Sequence, residues 1–221
     1  MEIKRILNLT IKFAINRVIE ILATCISIIG LLLFIALISY APDDPNFIFP
    51  ENTKIQNFLG FQGSYISDLF FQSIGMVSYL ISITLFFTGI NIFKNKDLFL
   101  IIENIFFTTL YCIFGALFFN FFYQNAFDLY INGNGGFVGL YITQTFFGDL
   151  IKLQVNISYY ILILLISFLF LISINFNPKK FWNLFKKIIY YFKDGKSKTY
   201  TDKNEIISEY IPQDEITNLI Q

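Results

Sequence analysis

Charges in this chain come in clusters, and long runs between the clusters carry none. Glu20 and Asp43 enclose 22 uncharged residues, Asp68 and Lys94 enclose 25, Glu103 and Asp128 enclose 24, and Lys152 and Lys179 enclose 26. An α-helix rises about 1.5 Å per residue, so each run can cross a hydrocarbon core of about 30 Å. The pattern predicts transmembrane helices near 19–40, 69–93, 99–122 and 155–176. A fifth uncharged run, 129–148, opens with Asn132-Gly133-Asn134-Gly135-Gly136, a turn cluster whose backbone groups lipid would leave unpaired. Its remainder, 137–147, reaches only about 16 Å as a helix. It is expected to lie at the interface or to enter the membrane part-way.

Basic residues orient the four crossings. Lys4, Arg5, Lys12 and Arg17 precede the first span, and Lys94 and Lys96 join the second to the third. Lysines 179, 180, 186, 187, 193, 196, 198 and 203 follow the fourth. The opposite side receives only Lys54 and Lys152. This asymmetry predicts both termini in the cytoplasm of a multi-pass inner-membrane protein. Five crossings would export the lysine-rich tail. Ser39 and Ala41 have the form of a signal-peptidase site, but the apolar region exceeds the ~7–15 residues of a signal peptide, so the first span is expected to stay as an anchor.

Small residues indicate how the spans meet, because helices in lipid associate by close packing of Gly, Ala, Ser and Thr. Ala23, Ser27 and Gly30 share a face of span one. Gly75, Ser78, Ser82 and Gly89 share one in span two, and Thr108, Cys112, Gly115 and Ala116 share one in span three. Span four is nearly all large. Spans one to three are therefore expected to form the tight core, with span four peripheral. Glu20 and Glu103 sit about one turn inside helix ends, where they reach the interface, and Arg17 is placed to pair with Glu20.

The outer segment 41–67 is punctuated by Pro42, Pro45 and Pro50. Ser64 is expected to cap span two, with Asp68 in its first turn, and Asp43 and Asp44 to be solvated turn formers. After Asn177-Pro178, an amphipathic helix is expected to about 193. At ~100° per residue, Phe181, Trp182, Leu184, Phe185, Ile188, Ile189 and Phe192 fall on one face. Lys179, Lys180, Lys186, Lys187 and Lys193 fall on the other, which suits a lipid surface. DNA contact by these lysines is secondary, since phosphate binding gives no reason for so regular an apolar face. Residues 194–221 read as a flexible cytoplasmic linker.

Composition narrows the chemistry further. Of 221 residues, 55% are hydrophobic, 14% are charged and none is His. Cys25 and Cys112 each lie inside an apolar run. No catalytic constellation, zinc set or disulfide framework can be assembled, so no cofactor and no metal is expected. Gly195-Lys196-Ser197 ends like a phosphate-binding loop, but Tyr190 stands where that loop needs its first glycine. The fold class expected is an all-α polytopic membrane protein: a four-transmembrane-helix bundle with a short interfacial or re-entrant helix and a cytoplasmic amphipathic helix. Its parts are a basic segment 1–17, a membrane domain 18–176, the amphipathic helix 177–193 and the linker 194–221.

The corner Ser39-Tyr40-x-Pro42-x-Asp44-Pro45, followed by Asn57-x-x-Gly60-x-x-Gly63 and Asp68, resembles the amino-terminal four-helix membrane domain of FtsK/SpoIIIE-type bacterial DNA translocases. Gly75, Gly89 and Gly135-Gly136-x-x-Gly139 fit the same pattern. Asn46, Ser64 and Ser67 depart from it. The resemblance implies a septal inner-membrane anchor that meets other division-septum membrane proteins. It also implies a hexameric motor beyond a linker, through which the chain would be a homo-oligomer. This chain has no Walker A loop, so by itself it is expected neither to hydrolyse ATP nor to move DNA; no direct nucleic-acid binding by it is expected. The alternative is a small polytopic transporter or transport accessory subunit. Such proteins commonly show internal repeats and helices broken near the midplane, and spans one–two and three–four lack mutual similarity.

Overall fold

In lipid every backbone N–H and C=O must find its partner within the segment, so the uncharged runs become helices. The computed structural model describes residues 2–45, 54–124 and 132–194. Among them the elements are α1 (Glu2–Ile38), α2 (Gly60–Ile74), α3 (Ser78–Asn95), α4 (Phe99–Phe122), α5 (Gly136–Thr143), α6 (Phe146–Leu153), α7 (Val155–Ser173) and α8 (Pro178–Asp194). Four stretches are long and apolar enough to cross a membrane: Lys4–Ile38, Gly60–Asn95, Phe99–Phe122 and Val155–Ser173. The chain divides into a unit Met1–Phe176 and a unit Asn177–Gln221. The tail expected as a linker, Gly195-Lys196-Ser197 within it, and Asn46 and Pro50 lie outside the described residues.

Three elements differ from the sequence pattern. The helix of span one begins at Glu2, so it runs through the basic segment 1–17. Span two, expected as one helix over 69–93, is broken by a 3-10 turn at Gly75–Val77. α3 has 18 residues, about 27 Å as a helix, while α2 meets the last turns of α1 through Phe71, Leu33 and Leu37. The short helix expected over 137–147 is two helices, α5 and α6.

Small residues bring α1 and α3 into close contact. A Cβ added to Gly30 would lie 2.5 Å from Phe86 N and 2.9 Å from Ser82 O, and one added to Gly89 would lie 2.6 Å from Ser27 N. Ser27 Oγ donates to Phe86 O at 3.0 Å across this contact. The expected three-helix core is therefore corrected. α4 packs chiefly on α7 and α5, and its Gly115 meets Val77 in the 3-10 turn. Aromatic pairs fill the α4–α7 contact: Tyr111 with Phe170 at 5.9 Å and Phe118 with Tyr159 at 5.4 Å between ring centroids.

α7 is peripheral along most of its length, with Leu164 71% exposed, but its final turn is stitched to the bundle. Thr84 Oγ1 lies 2.9 Å from Tyr111 Oη and 3.1 Å from Ser173 Oγ. Asn104 Nδ2 donates to Thr88 Oγ1, Asn175 Nδ2 donates to Asn104 Oδ1, and Asn91 Nδ2 donates to Ile174 O. These bonds tie α3, α4 and the end of α7 together. At the same end Glu20 is paired by Arg17 and by Lys96 Nζ at 2.6 Å, which fastens α1 to the α3–α4 turn. We call this the basic end and the opposite one, with Gly60, Gly75, Gly133 and Gly136 in positive φ, the glycine end.

In the second unit Pro178 opens α8, where its missing N–H costs nothing. Phe181 N–H donates to Asn177 O at 3.0 Å.

The α1–α3 seam admits no side chain larger than hydrogen at Gly30 or Gly89 without moving backbone. Gly89→Leu is expected to destabilise the bundle by at least about 1–3 kcal/mol, read as a lower unfolding midpoint in detergent. Ile21→Ala, at a position 64% exposed, should leave the midpoint nearly unchanged.

Candidate functional site: a polar clasp at the glycine end

The chain leaves α1 through Ser39-Tyr40-Ala41-Pro42-Asp43-Asp44-Pro45, and this corner is locked to the segment entering α2. Asp44 is 1% exposed. Its Oδ1 accepts from Gln56 N at 2.7 Å and its Oδ2 from Asn57 N at 2.8 Å. Asn57 Nδ2 donates to Ala36 O at 2.9 Å, while Asn57 Oδ1 accepts from Leu59 N in an Asx turn. Ser39 Oγ accepts from Phe58 N, and Ser64 Oγ donates to Pro45 O. Tyr40 Oη donates to Asp68 Oδ1 at 3.0 Å.

Two glycines make the clasp possible. Gly60 has φ +67°, a conformation that L side chains rarely adopt. At Gly63 an added Cβ would overlap Asn57 Oδ1 and lie 2.6 Å from Leu59 Cβ, so the Asn57 side chain needs a hydrogen there.

A second cluster adjoins the first. Met76 N–H donates to Asn134 O at 2.9 Å. The same carbonyl presses against Gly75, which has φ +65° and room for no Cβ. Gly136, at φ +61°, lies against Gly75 N and Ile74 N, each 2.6 Å from where its Cβ would be. Gly135 and Gly139 meet the Ala116 carbonyl and the Asn120 side chain. Asn120 Nδ2 donates to Thr143 Oγ1, Asn132 Nδ2 to Gln72 O, and Asn134 Nδ2 to Tyr123 O. The 3-10 turn that breaks span two is thus occupied by the Asn134 peptide.

Of the residues singled out in the sequence, the corner, Asn57, Gly60, Gly63, Asp68, Gly75, Gly135, Gly136 and Gly139 assemble at this end. Gly89 stands apart on the α1–α3 seam, and Pro42 is exposed. Three expectations are corrected. Asp44 is buried rather than solvated, because backbone N–H groups replace its water. Ser64 does not cap α2, which starts four residues earlier. Asp68 is buried mid-helix, where its partner is Tyr40 and not the helix dipole.

Pattern reading missed Asn120, Asn134 and Thr143, and the Thr84–Tyr111–Ser173 and Asn104–Asn175 links. A lone amide in an apolar run, such as Asn104 or Asn120, was the available signal, since buried amides need partners.

Chemically the clasp is a fastening. Asp44 and Asp68 each accept bonds that hold backbone or Tyr40 in place, and among the described residues no nucleophile–base pair stands beside them. Among the described residues no group of three His, Cys, Asp or Glu could hold a metal. Lys179, Lys186 and Lys187 are exposed on α8, with Trp182 56% exposed. The side chains of Lys180 and Lys193 lie outside the described ones.

A family model described as the 4TM region of DNA translocase FtsK/SpoIIIE matches residues 16–183. The chain is 35% identical over 85 residues to the DNA translocase FtsK of Rickettsia bellii (strain RML369-C), covering 38% of this chain and 11% of that protein. It is 33% identical over 87 residues to the DNA translocase FtsK of Rickettsia prowazekii (strain Madrid E), covering 38% and 12%. The matched part is therefore a small fraction of those relatives' lengths. No solved structure matches the chain.

Asp44→Ala strands two backbone donors that the carboxylate now holds. With charged hydrogen bonds worth ~1.5–3 kcal/mol each, a loss on the order of 3 kcal/mol is expected. Thermal unfolding in detergent or nanodiscs reads it, and exposed Lys54→Ala should shift the midpoint negligibly.

Proposed function

The chain belongs to the FtsK/SpoIIIE family as its multi-pass 4TM membrane region, and on that premise we propose that it anchors a DNA translocase at the division septum. The observation that carries this reading is the family match over residues 16–183, which takes in three of the spans and most of the first. In this reading the membrane domain holds the translocase where the chromosome crosses the closing septum. Other division-septum membrane proteins are its neighbours in the bilayer. ATP hydrolysis and DNA movement belong to a motor on further polypeptide, through which copies of the membrane domain are gathered into a ring. The chain itself takes no cofactor and no nucleic acid.

The orientation in this proposal sets the basic end in the cytoplasm and the glycine end outside. Fourteen of the sixteen basic residues then lie on the cytoplasmic side, in keeping with the positive-inside bias. The clasp fastens the described parts of the two outer segments: Asp44, Asn57 and Asp68 join the first to α1 and α2, and Asn134 joins the second to the broken span. A fastened outer surface offers neighbouring division proteins a preformed face, with little ordering cost on binding.

A fluorescent fusion to residues 16–183 should concentrate at midcell in dividing cells, and an even signal around the membrane would overturn the septal role. Orientation is tested separately. A cysteine at position 54 should react with a membrane-impermeant maleimide in intact cells and one at 186 only after lysis; the reverse pattern would invert the topology.

A further inference from the structure

α8 begins five residues after α7 ends, so covalent geometry alone keeps its first turn within about 18 Å of the end of a membrane span. Along α8, Trp182, Phe185 and Ile189 are 56%, 45% and 50% exposed. Phe185 stacks on both Phe181 and Trp182, with ring centroids 6.4 and 6.1 Å apart. They make a continuous aromatic strip along one face. Lys186 Nζ stands 5.7 Å from the Trp182 ring centroid, where the apolar strip meets the lysine face. Lys186 and Lys187 are exposed.

We propose that α8 docks on anionic lipid, its aromatic face among the upper acyl chains, Trp182 at headgroup level and its lysines on lipid phosphates. Three observations converge on that occupant. Phe181, Trp182, Phe185 and Ile189 lie along one side of the helix over 181–189, which favours a planar apolar boundary over an enclosing pocket. The lysines border that strip on both flanks of the helix, where long aliphatic stems can lie along the boundary while the ammonium groups stay in the headgroup layer. The tether to α7 holds the helix beside such a surface at high effective concentration, so modest affinity suffices. Duplex DNA would engage the lysines but leave the aromatic strip in water. A second copy of α8 would cover the strip but bring like charges together. The proposal rests on the membrane fold and not on the septal role.

The test uses a property of the sequence: Trp182 is the single tryptophan, so tryptophan emission from the full chain reports α8 alone. The chain is placed one copy per nanodisc, in discs of zwitterionic lipid and in discs containing phosphatidylglycerol. In the anionic discs Trp182 emission should shift to the blue, lose access to aqueous iodide and be quenched by lipids brominated near the headgroup. Salt near 1 M, where the screening length is about 3 Å, should reverse much of the shift. Lys186→Gln with Lys187→Gln should lower the docked-to-free ratio about fivefold for each lysine removed, while the circular dichroism of the bundle stays unchanged. Phe185→Ser should reduce docking without altering its salt dependence. Four results would each overturn the proposal: emission that is the same in both lipids, emission unmoved by salt, a shift that appears only with added duplex DNA, and a shift that requires two copies per disc. None of them bears on midcell recruitment, which is read in cells.

Discussion

The structure of the membrane domain depends on one close approach of backbone to backbone, the Asn134 peptide against Gly75. An uncompensated break in a membrane helix strands polar groups at several kcal/mol each. Here Met76 N–H is satisfied by Asn134 O, so the break is paired from outside the helix. That pairing requires hydrogens where side chains would otherwise stand, at Gly75 and at Gly136 facing it. It ties the 3-10 turn between α2 and α3 to the turn that leads into α5.

The two ends of the bundle solve the polar problem differently. At the glycine end the chain turns repeatedly, and many backbone groups need partners away from regular helix. Side chains with fixed acceptors supply them, above all the Asp44 carboxylate and the Asn57 amide. At the basic end the helices are nearly regular, and the polar side chains bond one another or backbone across helices: Thr84 with Tyr111 and Ser173, and Asn104 with Thr88 and Asn175. Such links are individually modest, about 0.6 kcal/mol on average in a comparable membrane protein, but they fix the register of α7, whose large residues give it no small-residue seam. Between the ends, α1 and α3 rely on close contact and on the bond from Ser27 Oγ to Phe86 O.

This division suits an anchor. The permanent contacts tie the helices to one another and to their loops, and no charged group stands at the centre of a span. The helix break, which in transporters opens a site for substrate, is here closed by protein backbone. On α8, by contrast, exposed lysine and aromatic side chains stand on a single helix.

The sequence alone determined that the chain is a four-span membrane protein, because the absence of charge over more than twenty residues is a direct statement about the cost of burial in lipid. The apolar and basic faces of α8 were equally legible, since helical periodicity is local. It also marked the residues of the clasp, although their bonds could not be read from it. Asp44 looks like any turn aspartate until Gln56 and Asn57 fold over it, and Gly75 looks like any small residue of a packing face until Asn134 arrives from sixty residues away. Which helices pair, where span two breaks, and which carboxylates leave water were decided only by the tertiary structure. Each depends on a partner brought close by the fold, and no periodicity along the chain encodes that distance.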